Sequence, residues 1–247
     1  MHHPSRLLLL VVAIATALSS CQSAGTAGAE TPVAGAPNAA RVNDAMGTVA
    51  SHRVELQSAV SGVLAAASRV EPLAAGLRSP TTIDVAIDDV PGLVSAFDVL
   101  DPSTLVPVVE ALDLAIGQAA GLVDQTAALE AVGSWERQFL VAQRSVLDAL
   151  AGWSAMNANA IAVLDEQWPV FDEVVRDAAV LKENRWRYRN PEEAAGTWEV
   201  EAGAATRAVR DASALLPGIV NGLAQAAERV RGADAELESV FRARPAS

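Results

Sequence analysis

Lysine, cysteine and aromatic rings are all scarce in this chain of 247 residues. Lys182 is the only lysine and Cys21 the only cysteine, so no disulfide can form within one molecule. Aromatics make up 4% of the residues although 51% are hydrophobic. The apolar content is therefore mainly Ala, Val and Leu, which suits closely packed helices better than a sandwich with aromatic layers. The net charge of -12 excludes a nucleic-acid binder, which needs a basic face. It also gives the chain no attraction to anionic lipid. Basic residues are missing altogether between Ser79 and Glu136, where Asp84, Asp88, Asp89, Asp98, Asp101, Glu110, Asp113, Asp124, Glu130 and Glu136 stand alone.

The usual catalytic sets are missing too. Past His2 and His3 the only histidine is His52, and a triad needs a base beside its nucleophile. There is no G-x-S-x-G, C-x-x-C or H-E-x-x-H, and no set of Glu-x-x-His pairs for a di-iron bundle. The expectation is a chain that is not an enzyme and carries no cofactor.

What is present begins at the N-terminus. Leu7 to Leu18 is a run of twelve apolar or small residues after the single firm charge of Arg6. As a helix it spans roughly 18 Å, too short for a bilayer core of about 30 Å, and it matches the apolar region of an export signal. Leu18-Ser19-Ser20-Cys21 resembles the lipobox of bacterial lipoproteins. That resemblance implies cleavage before Cys21 and a thioether-linked diacylglycerol on its sulfur. Residues 1–20 are then a signal peptide, and 21–37 are the lipidated Cys and a Gly/Ala/Ser/Thr/Pro tether. Such a tether has a reach of roughly 20–25 Å. Residues 38–244 form one helical domain. Two or three acyl chains hold firmly where one does not.

From Asn38 onward apolar residues recur at three- and four-residue spacing. The first seam is Val42, Met46, Val49, Leu56, Val60, Val63, Val70 and Leu77, interrupted by Arg53, and it should end near Ser79-Pro80. Thr82 to Leu100 is weaker, and Pro91-Gly92 should break it. Asp101-Pro102 is a helix start, followed by Leu105, Val109, Leu112, Ile116, Ala119, Leu122, Thr126 and Leu129. Gly133-Ser134 turns the chain into a very long helix along Phe139, Val146, Leu150, Trp153, Asn157, Ile161, Leu164, Trp168, Phe171, Val175, Ala178 and Leu181. Pro169 should kink or split it. Asn190-Pro191 caps a last helix whose seam runs unbroken from Trp198 through Ala202, Ala205, Val209, Ala212, Leu216, Ile219, Leu223, Ala226, Val230, Ala233 and Leu237 to Val240, with a kink at Pro217. No two-residue alternation appears. The fold expected is all-α: an elongated antiparallel bundle of about four or five long helices with coiled-coil-like seams. Charges on the polar face of every long helix argue against a transmembrane reading.

Four features could carry chemistry. His52 and Glu55 share a helical face, as a metal-ligand or acid–base pair would. Their spacing resembles the motif of imelysin-like helical envelope proteins, without the glycine that precedes the His there; this chain has Val49-Ala50-Ser51. The pair also lies on the flank of its seam, where a solvated His–Glu contact is the plainer reading, and no metal site is assigned to it. Asp84, Asp88 and Asp89 lack the Gly and terminal Glu of a Ca²⁺ loop, so they read as a solvated face. Asn157 either fixes helix register or grips a small ligand with Trp153 and Trp168. Arg185, Trp186, Arg187, Tyr188 and Arg189 form a candidate interaction patch of the residue types enriched at hot spots. They also suit anionic headgroups, or folding back on the acidic stretch and capping their own helix.

The sequence thus points to a protein anchored to a bacterial membrane by lipid on Cys21, outside the cytoplasm, that works by contact with a protein partner. It would be a scaffold, assembly factor or accessory subunit of the envelope. The alternative is a ligand- or metal-binding lipoprotein associated with transport.

Overall fold

A computed structural model describes residues 39–83, 90–129, 132–184 and 191–245. The signal, Cys21 and the tether lie outside them, as do Asp84, Asp88 and Asp89 and the Arg185–Arg189 patch. The chain is all-α, with no strand among the described residues. Five long helices are α1 (Ala39–Gly76), α3 (Val106–Ala127), α4 (Ser134–Asn184), α5 (Pro191–Ser213) and α6 (Leu216–Arg242). A short α2 (Val90–Val99) and a 3-10 turn (Pro102–Leu105) complete them.

The residues fall into two compact units. The first draws on Met1–Ala59, Leu105–Asn159 and Asn221–Ser247 in their described parts; the second on Val60–Thr104 and Ala160–Val220. Helices α1, α4 and α6 contribute to both.

In the first unit α3, α4 and α6 run antiparallel in sequence of contact. Asp124 near the end of α3 pairs with Arg144 near the start of α4 at 3.4 Å. Trp135 Nε1 at the start of α4 donates to the Val240 carbonyl near the end of α6 at 3.0 Å. Farther along, a Cβ added to Gly222 would lie 2.5 Å from Met156 Cε. Glycine there lets α4 and α6 approach closely, as an alanine would only if the flexible Met156 gave way. Arg53, the interruption of the first seam, finds its partner here: Nη1 donates to Asp234 Oδ2 on α6.

The second unit is closed by aromatic and capping contacts. Trp168 of α4 stacks on Phe97 of α2, ring centroids 4.3 Å apart. Arg176 joins Asp172 on its own helix and Asp98 on α2, and these hydrogen bonds, Asp172 first, hold its guanidinium further toward the charged form. Buried Trp198 of α5 donates Nε1 to the Leu77 carbonyl at 2.7 Å. The end of α1 would otherwise leave carbonyls unpaired; Thr82 Oγ1 donates to one of them, Gly76, at 2.8 Å.

Several boundaries differ from the periodicity. Pro91 does not break a helix but stands second in α2, where its missing N–H is harmless. Asp101 caps as expected, accepting from the Ser103 backbone N–H at 2.9 Å and from its hydroxyl at 2.8 Å, but it caps the 3-10 turn that leads into α3. Pro169 does not split α4, which runs through it for 51 residues. The last helix is two: Ala214 and Leu215 separate α5 from α6, and Pro217 is the second residue of α6. Proline has no N–H to continue the ladder from α5, yet fits the first turn of a new helix. Pro102–Ala127 is the one described stretch long and apolar enough to cross a membrane. It buries Val109, Leu112, Ala115, Ile116, Ala119 and Val123 and exposes Glu110, Asp113 and Asp124, the pattern of a core helix with one solvated face.

Candidate docking surface

Most seam positions of both units are buried, and the exceptions fall in the first. In the second unit every described seam position is buried, from Val60, Val63, Val70 and Leu77 through Ile161, Leu164, Trp168, Phe171, Val175, Ala178 and Leu181 to Trp198, Ala202, Val209, Ala212, Leu216 and Ile219. In the first unit Met46, Leu122, Phe139, Leu237 and Val240 are only half-buried, and Leu129 is exposed. The apolar row outruns the core that covers it.

Three of these positions, Phe139, Leu237 and Val240, lie where α4 begins and α6 ends. Trp135 stacks on Phe139 at 5.3 Å, Phe139 meets Phe241 at 6.0 Å, and the Arg244 guanidinium lies 5.5 Å over the Trp135 ring. None of the four is fully buried. Beside them runs an open groove of about 580 Å³, lined by Val132, Arg137, Val141 and Ala142 on the α4 side and by Glu236 and Val240 of α6. Val141 is 63% exposed, although large and apolar. Among the described residues no ion pair reaches Arg137 or Glu236. Exposed apolar surface beside Trp and Arg is the composition of an interface centre.

This surface was not singled out from the sequence. The signal existed: Trp135 and Phe139, Arg137 and Val141, and Glu236 and Val240 are each four residues apart, so each pair shares a helical face. Nothing in the sequence alone says that α4 and α6 bring these faces together.

The other candidate residues separate. His52 Nδ1 lies 3.5 Å from Glu55 Oε2 on the flank of α1, and no group of three metal-ligating side chains occurs among the described residues. Asn157 is 1% exposed and spends its amide on its own helix, Nδ2 donating to the Trp153 carbonyl at 2.8 Å. Trp153 and Asn157 belong to the first unit, whereas Trp168 belongs to the second and is stacked on Phe97. Gln143 Oε1 and Ser154 Oγ, also on α4, are buried without a hydrogen-bond partner.

No family model matches the chain, and neither does any curated protein or solved structure. The functional reading therefore rests on the chain's own residues.

Proposed function

We propose that this is a lipid-anchored, extracytoplasmic helical protein of a bacterial envelope that acts by protein–protein interaction, as a scaffold, assembly factor or accessory subunit. The anchor rests on Leu18-Ser19-Ser20-Cys21 and the polar tether behind it. The interaction rests on one observation: the seam left uncovered at the α4–α6 end of the first unit, with its aromatic cluster and groove. A core that covers every described seam position of one unit and leaves six in the other incompletely covered has surface to spare for a partner.

The rival reading, a ligand- or metal-binding lipoprotein, finds less support. Asn157 is turned onto its own backbone, and His52 and Glu55 lack a third ligand within the described residues.

Envelope pull-down with a tagged full chain tests the interaction. Wild type should recover a specific partner, either another chain or an untagged copy, and Val240→Asp should lose it. Recovery that is unchanged by Val240→Asp and also by the Arg185, Trp186 and Arg187 triple alanine variant would remove both surfaces from consideration.

A further inference from the structure

Resting on that interaction reading, we propose that the groove between α4 and α6 seats a second copy of this chain, joined by two reciprocal Arg137–Glu236 ion pairs across a two-fold axis.

The argument starts from register. Trp135 reaches Val240, and Met156 lies against Gly222, so α4 and α6 run past each other with Arg137 about level with Val240 and Val141 about level with Glu236. Four residues of helix rise about 6 Å, and packed helices stand about 8–10 Å apart. Arg137, Val141, Glu236 and Val240 therefore mark the corners of a rough square. The charges of opposite sign occupy one diagonal and the valines the other.

A two-fold axis along the valine diagonal, lying in the plane of the groove, brings a mate face to face. It sets each valine on its own equivalent and Arg137 on the mate's Glu236, twice. Closed two-fold contacts have this reciprocal form. A partner surface of one charge sign would gain one pair here and suffer one repulsion. A surface with both signs at the same spacing gains two, and a second copy offers that spacing by construction. The exposed Val141 then loses its contact with water. The patch is small, which places the contact among weak interfaces; chains held on one membrane by their lipids meet at a raised effective concentration.

The test uses the full chain in the envelope. Val141→Cys puts a thiol on the axis, and mild oxidation followed by non-reducing electrophoresis reads a disulfide between copies. Wild type, whose only cysteine is Cys21, sets the baseline, and Leu114→Cys, at an exposed site on α3, is the control for random collision. Val141→Cys should give a band of twice the chain mass well above both. Arg137→Glu in that background should weaken the band roughly fivefold, and adding Glu236→Arg should restore it, which a misfolded variant would not do. Dimer no stronger than with Leu114→Cys, or no effect of Arg137→Glu, overturns the proposal. An adduct of another mass also overturns it, while leaving the broader interaction reading in place.

Discussion

Arg53 on α1 and Asp234 on α6, 181 positions apart in the chain, meet through Nη1 and Oδ2 at 3.1 Å inside the first unit. Their side chains are 18% and 24% exposed, so the pair is neither a surface contact nor a fully buried one. Arg53 sits on the row that otherwise carries Val49 and Leu56, both buried. A charge at such a position is tolerated because a partner meets it, and removing the partner leaves it stranded.

The first prediction follows from that asymmetry. Asp234→Ala should destabilise the protein by about 1–3 kcal/mol, because a half-desolvated guanidinium loses its acceptor. Replacing both residues, Arg53→Leu with Asp234→Leu, should cost less than the single change. Urea unfolding of the three proteins measures this; a double variant as unstable as Asp234→Ala would contradict it.

Pro169 and Pro217 should behave differently. Pro169 lies deep within α4, where it removes a backbone hydrogen bond, so Pro169→Ala should stabilise the chain by about 1–3 kcal/mol. Pro217 occupies the first turn of α6, where no N–H is needed, and Pro217→Ala should stay within about 0.5 kcal/mol of wild type. Thermal unfolding distinguishes them, and equal shifts would count against the placement of these helices.

Sequence periodicity reads both prolines alike, and their difference shows where it stops. Rows spaced by three and four residues identify the buried faces of α1, α4 and α5 because burial is decided locally by the turn of the helix. Whether a helix survives a proline is not written in its own row. Buried Trp168 and Phe171 flank Pro169, and buried Leu216 and Ile219 flank Pro217 in the same way, yet α4 runs on while the chain turns at Ala214-Leu215 and starts α6 anew. The same reasoning explains the site. His52, Glu55 and Asn157 stand out in a sequence as rare or polar residues. Val141, Arg137 and Glu236 are ordinary surface types that matter only through the register of α4 against α6.

Trp198 links α5 to the end of α1. Trp198→Phe keeps most of the ring but strands the Leu77 carbonyl, at a cost of about 1–2 kcal/mol, and Trp198→Ala should cost about 3–5 kcal/mol by opening a cavity. Denaturant titration should rank the three proteins in that order. If Trp198→Phe were as stable as wild type, the indole hydrogen bond would contribute nothing.

Asn157 decides between a structural and a ligand-binding core. Its amide donates to its own helix, Nδ2 to the Trp153 carbonyl, so Asn157→Leu should fold with stability equal to or above wild type, and no solute should raise the melting temperature of wild type selectively. A thermal shift from a metal or small solute that disappears in Asn157→Leu would restore the ligand-binding reading.

The central claim is the anchor, because a net charge of -12 gives the chain as a whole no attraction to anionic lipid. Mass spectrometry of the mature chain extracted from membranes with detergent tests it directly. The account predicts a chain that begins at Cys21, carries a diacylglycerol mass on that residue, and passes to the aqueous fraction as Cys21→Ser. An unmodified Cys21, or a Cys21→Ser chain that stays with the membrane, would contradict it.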